Sequence, residues 1–258
     1  MRGYWQTALM AATELGDSPL FLMDYALRLL RVVVLVALWR SILAAGQSGS
    51  PMSLGAVLTY TVAAEAFAQQ LTVRTTLANA FWEGTIVMRF LQPAGVLRQF
   101  GAETAGRSAV HFLVFSIPLL LVAPLLGVDP RPASPAAGAL FPVSLALAIA
   151  VGLAVDFIFG ALTAALEQPV WLVDWVRTAL VTVLAGSLLP LALYPWGLGQ
   201  LFAWLPFAAM AWAPLAIYTG AGAPVPLLLA QVSWACALWP LCLWLWRANR
   251  EKLVAYGG

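Results

Sequence analysis

The sequence predicts an all-α integral membrane protein, one domain over residues 1–258 with six transmembrane helices and both termini cytoplasmic. Hydrophobic residues make up 62% of the chain and charged residues 9%, against roughly 25% charged in a soluble domain. Apolar runs near the roughly 20 residues that cross a bilayer recur along the chain. The basic residues gather in alternate connections, the asymmetry that retains short loops on the cytoplasmic face.

The formal net charge of +2 comes from scattered residues, which excludes a nucleic-acid surface built on a clustered basic patch. Cys236 and Cys242 both sit in the last apolar run, on different faces of a helix, so neither a disulfide framework nor a metal cluster is expected. His111, the single histidine, reads as a helix-packing residue near the membrane surface.

Residues 1–18 lack a signal-peptide cleavage site and form an amphipathic interface helix, with Tyr4, Trp5 and Leu9 on one side and Arg2, Gln6 and Glu14 elsewhere. Asp17, Ser18 and Pro19 break it. The first span, Leu22 to Ala44, holds Asp24 and Arg28 at a pairing distance of one helical turn; Arg28 and Arg31 lie near the cytoplasmic end, placed to snorkel, while Arg40 near the other end mildly offends the positive-inside rule. An uncharged outer loop, Gly46 to Ser53, follows.

The second span, Leu54 to Val73, contains Glu65, Gln69 and Gln70. A carboxylate at that depth either pairs with a neighbouring helix or faces a translocation path, and the sequence leaves both open. Residues Arg74 to Arg107 form a long polar interruption with Arg74, Arg89, Arg98 and Arg107, expected to be a cytoplasmic loop. Within it, Phe81, Trp82, Ile86 and Phe90 recur near i, i+4 or i+5 and give a short helix an apolar side; it either anchors the bundle at the interface or, through Glu83 and Arg89, meets a soluble partner, and Pro93 helps end it.

The third span, Ser108 to Leu126, is interrupted by Pro118 and Pro124, and Gly127 to Gly138 is an outer turn. The fourth, Leu140 to Leu162, carries Gly152 and Gly160 for close helix approach and Asp156, which needs a partner in the bundle. Glu167, Asp174 and Arg177 describe a cytoplasmic interfacial turn around Trp171 and Trp175, before a fifth span from Leu172 to Leu193. Residues 194–224 are uncharged yet cut by Pro206, Pro214 and Gly220, which predicts a pair of short re-entrant helices on the outer side. The last span, Val225 to Trp246, stops at Arg247, Arg250 and Lys252.

The sequence holds no phosphate-binding Gly-rich loop, no HExxH and no Gly-x-Ser-x-Gly elbow. The chain is therefore expected not to be an enzyme, with any ATP chemistry on another subunit. Gly84-Thr85-Ile86, then Arg89-Phe90-Leu91 and Pro93, resembles the loop motif of ABC-transporter permeases of the type-2 exporter family. The six-span layout, the amphipathic N-terminal segment, the Pro214, Tyr218, Gly220 spacing and the terminal Gly257-Gly258 extend the resemblance over nearly the whole chain.

That resemblance implies a half-transporter of the bacterial plasma membrane. A second permease, identical or similar, and two cytosolic ATPase subunits would complete it, with ATP and Mg on the ATPase and no cofactor on this chain. It further implies that residues 78–93 contain a coupling helix, over Ala80 to Leu91, with Phe81, Trp82, Glu83, Gly84, Ile86, Arg89 and Phe90 at the ATPase contact. The compact branch of the family moves drug-like, antibiotic or lipid-like substrates outward. Glu65, Gln69 and Asp156 are the candidate path residues, and Pro206, Pro214, Tyr218 and Gly220 belong to the outer re-entrant stretch. Two rival readings stand beside it: a proton-coupled secondary carrier using Glu65 and Asp156, and a non-transporting membrane scaffold.

Overall fold

A computed structural model of the chain describes residues 20–44, 52–93, 95–249 and 251–252; the predicted N-terminal interface helix and the terminal glycines lie outside them. Every regular element among the described residues is helical. Helix α1, Leu20–Ala44, packs along α2, Leu54–Ala66. Val32 and Val36 of α1 are buried, whereas Leu27, Leu30, Val34 and Leu38 are exposed, as befits a helix with protein on one stripe only. Helix α2 begins at Ser53, whose hydroxyl accepts from the Ala56 N–H at 3.2 Å and caps the first turn.

The expected second span is shorter than its apolar run. Helix α2 gives way at Phe67 to a single turn, α3 (Ala68–Leu71), and the chain then runs without helix until α4, Leu77–Trp82. Helix α5, Ile86–Phe90, follows after a break at Gly84, whose φ of 69° lies in the left-handed region that glycine enters without steric cost. The single helix expected over Ala80 to Leu91 is thus two, set at an angle by one residue.

The expected loop up to Arg107 is corrected more substantially. Helix α6 runs from Val96 to Leu126, so the second half of the polar interruption is the start of the third apolar helix. Pro118 does not end it. Having no N–H, and with its ring crowding the Val114 carbonyl, Pro118 is accommodated by widening to π geometry over Phe112–Ser116. The Ser116 hydroxyl donates across to the Ala66 carbonyl at 2.6 Å within this segment. A 3₁₀ turn, Ala123–Leu126, closes the helix at Gly127, φ 66°.

Helix α7, Pro135–Ala165, is capped by the Ser134 hydroxyl, which accepts from the Ala137 N–H at 3.1 Å, with Pro135 preset in the first turn. Helix α8 is Val170–Leu184, ending well before the expected Leu193 because the chain turns at Gly186, φ 76°, and Pro190. Three short helices, α9 (Leu198–Ala203), α10 (Pro206–Met210) and α11 (Trp212–Thr219), replace the expected pair. The last helix, α12, is Pro224–Ala248. Helices α6, α7 and α12 are long and apolar enough to cross a membrane, and the chain is a multi-span helical membrane protein.

Helix α7 is the axis of the bundle, with α12, α11, α10 and α8 packed on it. The larger apolar core joins α1, α2, α7, α10 and α11; a smaller one joins Leu77, Phe81, Ile86, Phe100, Phe157 and Trp246 at the end where α4 and α5 sit. At the opposite end the Gly127–Ser134 connection is held from three sides. Arg40 donates to the Leu126 and Gly127 carbonyls at 2.5 and 3.3 Å, Thr59 to the Asp129 carbonyl at 2.7 Å, and the Tyr218 hydroxyl to the Pro130 carbonyl.

Candidate functional site

The non-helical segment between α3 and α4 offers unpaired backbone groups, and neighbouring helices supply charged side chains to meet them. Asp156 of α7 accepts from both the backbone N–H of Thr75, at 3.1 Å, and the Thr75 hydroxyl. Arg177 of α8 donates through Nη2 to the Val73 carbonyl, and its Nε lies 3.0 Å from Asp156 Oδ1, an ion pair whose N–H is not aimed along the contact. The two side chains are 5% and 9% exposed. A buried pair of this kind stands only when further hydrogen bonds satisfy both ends, the role of Thr75 and Val73. Arg74 adds an ion pair to Asp174, but with Arg74 half exposed this contact is worth about 1 kcal/mol or less.

A second arm secures the next turn. The Thr76 hydroxyl donates to Glu103 Oε2 of α6 at 3.0 Å, and Arg89 of α5 forms an ion pair with Glu103 Oε1. The Arg89 guanidinium also stacks 4.9 Å from the Phe100 ring centroid, and Gln99 donates to the Arg89 carbonyl at 3.0 Å. Helices α4 and α5 are therefore fixed to α7 and α8 on one side and to α6 on the other. Gly160 of α7 permits the approach of α4: a Cβ there would fall 2.2 Å from Leu77 Cδ2.

The expected contact residues divide. Trp82, 73% exposed, and Glu83 face outward, as do Met88 and Leu91. Phe81 and Ile86 point into the smaller core and Phe90 is half-buried, so they form the base of the motif. Arg89 was expected to meet polar groups of a partner, whereas its guanidinium is taken up by Glu103. Asp174 and Arg177 were expected in an interfacial turn; both lie within α8, and Arg177 is buried.

Glu65 takes part in a separate network. Arg31 Nε lies 3.1 Å from Glu65 Oε1, and both line a polar cleft of about 370 Å³ with Arg28, Gln69 and Thr72. Arg28 Nη1 lies 3.1 Å from His111 Nε2. Pro206 opens α10, Pro214 is buried within α11, and Gly220 ends α11 in the left-handed region. The stretch presents two surfaces: Ala208 to Tyr218 are buried in the bundle, whereas Trp196 and Trp204 are almost fully exposed.

Two residues escaped sequence reasoning. Thr75 carries no signal of its own. Gln231 does, as a lone amide in an apolar helix: its Oε1 accepts from the Ser144 hydroxyl at 2.8 Å, and its Nε2 donates to the carbonyls of Ser144 and Ala209 at 3.0 and 2.8 Å, tying α12, α7 and α10 together. Comparison with family models, with curated proteins and with solved structures gives no match to this chain.

Proposed function

We propose that this chain is the membrane-spanning subunit of an ATP-driven exporter, working with a separate cytosolic ATPase and a second permease subunit in a bacterial plasma membrane. In this reading six segments cross the bilayer, both termini are cytoplasmic, and α9 to α11 close the outer side. The chain itself performs no chemistry; ATP and Mg belong to the ATPase.

The observation that carries the reading is the pair of short helices α4 and α5. They expose Trp82, Glu83, Met88 and Leu91 beyond the bundle, yet the same segment is fixed to α6, α7 and α8 through Glu103, Asp156 and Arg177. A partner that moved this surface would move these three helices with it, because a connection made of ion pairs and backbone hydrogen bonds transmits displacement instead of absorbing it. The contact set is Trp82, Glu83, Met88 and Leu91, supported from beneath by Phe81, Ile86 and Phe90.

Purification of the native complex, followed by Trp82→Ala and Glu83→Lys, tests this. The expected result is a copurifying ATPase that both substitutions release, with loss of export and an unchanged thermal unfolding midpoint. A protein that retains no ATPase, and exports normally with both substitutions, overturns it. The Arg31–Glu65 pair in its polar cleft favours one rival, a proton-coupled carrier. Flux into proteoliposomes driven by a pH gradient without ATP, and abolished by Glu65→Gln, would establish that rival instead.

A further inference from the structure

Helices α6 and α12 flank α7 without closing over it, leaving a cleft of about 860 Å³ beside the base of the short-helix pair. Its floor is apolar and rigid. Phe157 of α7 packs edge-on to Trp239 and Trp246 of α12, each at 6.3 Å between centroids, and Trp246 Nε1 donates to the Phe157 carbonyl at 2.8 Å. Two arginines line the cleft from opposite walls, Arg98 on the first turn of α6 and Arg247 on the last turn of α12. Both are exposed, and neither guanidinium forms an ion pair or a hydrogen bond among the described residues.

The cleft continues. Gly101 and Leu153 also line a second, apolar cleft of about 470 Å³ that runs along α6 past Ala105, Ala109 and Phe112. Two adjoining clefts, one lined by two unneutralised guanidinium groups and the other apolar, together have the charge and polarity profile of an anionic amphiphile.

We propose that this paired cleft binds one anionic phospholipid, its phosphate between Arg98 and Arg247 and an acyl chain along Leu153 toward Ala105 and Phe112. Guanidinium groups recognise phosphate oxygens through forked hydrogen bonds, and basic side chains at a membrane surface favour anionic over zwitterionic lipid. The bound lipid joins the first turn of α6 to the end of α12, which the protein leaves apart, and so stiffens the platform on which α5 rests. Lipid binding does not depend on the chain being an exporter.

The probes are phosphatidylglycerol, phosphatidylcholine and inorganic phosphate, added to delipidated full-length protein in detergent and read by thermal unfolding and by native mass spectrometry. Phosphatidylglycerol is expected to raise the unfolding midpoint and to remain bound, phosphatidylcholine to do so weakly, and inorganic phosphate not at all. Replacing both arginines, Arg98→Gln with Arg247→Gln, is expected to weaken phosphatidylglycerol binding about thirtyfold while Arg131→Gln leaves it unchanged. Gly101→Leu is a second variant, whose Cβ meets no atom within 4 Å. Its side chain blocks the junction of the two clefts and is expected to abolish retention of phosphatidylglycerol. Equal binding of the two lipids, an equal shift from inorganic phosphate, or unaltered phosphatidylglycerol binding in both variants overturns the proposal.

Discussion

Arg177 and Asp156 stand on adjacent helices with Nε 3.0 Å from Oδ1, and between them they hold both polar faces of the Val73 to Thr75 backbone. The pair is a joint as much as an ion pair, because each partner spends its remaining capacity on a segment that has no helical hydrogen bonds of its own. Removing one member leaves the other charged and buried.

Asp156→Asn is therefore expected to destabilise the protein by about 3–5 kcal/mol, the range for breaking a buried pair from one side. The double variant Asp156→Leu with Arg177→Met is expected to lose less than either single substitution. Thermal unfolding in detergent of Asp156→Asn, Asp156→Leu, Arg177→Met and the double variant checks this, and an additive double variant would show the pair to be uncoupled.

Gln231→Leu keeps the volume of the side chain but strands the Ala209 carbonyl and the Ser144 hydroxyl. The expected cost is about 2–3 kcal/mol, the desolvation penalty of groups left unpaired. Hydrogen exchange should rise in α10, whose carbonyl the amide no longer engages, while α4 and α5 stay protected.

Gly197 and Gly199 make a paired test of two different constraints. A Cβ on Gly199 would lie 1.8 Å from the Leu191 carbonyl oxygen, a backbone atom that cannot step aside. At Gly197 there is open space, and only the φ of 73° opposes a side chain, at about 1 kcal/mol. Gly199→Ala should lower the unfolding midpoint far more than Gly197→Ala, and the reverse order would contradict this packing.

Glu167, in the turn that follows α7, has a φ of 53°, and Lys252 Nζ lies 2.8 Å from its carboxylate. The hydrogen bond and charge of Lys252 hold this carboxyl below its ordinary value of 4.5. A carboxyl lowered by folding contributes stability that is present above its unfolded pKa and lost as pH falls through its folded one. The contact is fully exposed, so its contribution should be small and removed by salt. Unfolding midpoints of wild type and Glu167→Gln should differ slightly at pH 7 and converge in acid.

Much of this arrangement is legible in the chain. The apolar runs locate α1, α6, α7 and α12, and the rule that acids in apolar helices need company singles out Glu65 and Asp156. Their partners are not legible, because Arg31 and Arg177 lie on different helices and pairing follows from packing. Helix α6 was half hidden for another reason: Arg98, Gln99, Glu103 and Arg107 are sound helix formers, but hydropathy registers only the part of a helix immersed in lipid. At Gly84 the residue was visible and its consequence was not, since a bend and a close contact leave the same letter in a sequence.

The widened turn over Phe112–Ser116 adds a rotational offset to α6. Each residue advances a helix by about 100°, so the extra residue in that turn decides which face of Ile117 to Leu126 meets α2 and which meets the acyl chains. Loss of one residue inside the turn would let the helix revert to regular winding with both ends still in phase. The same deletion a few positions earlier would swing the lipid-facing side of the whole upper half into the protein. Tolerance to length change along α6 should accordingly be concentrated in those five positions.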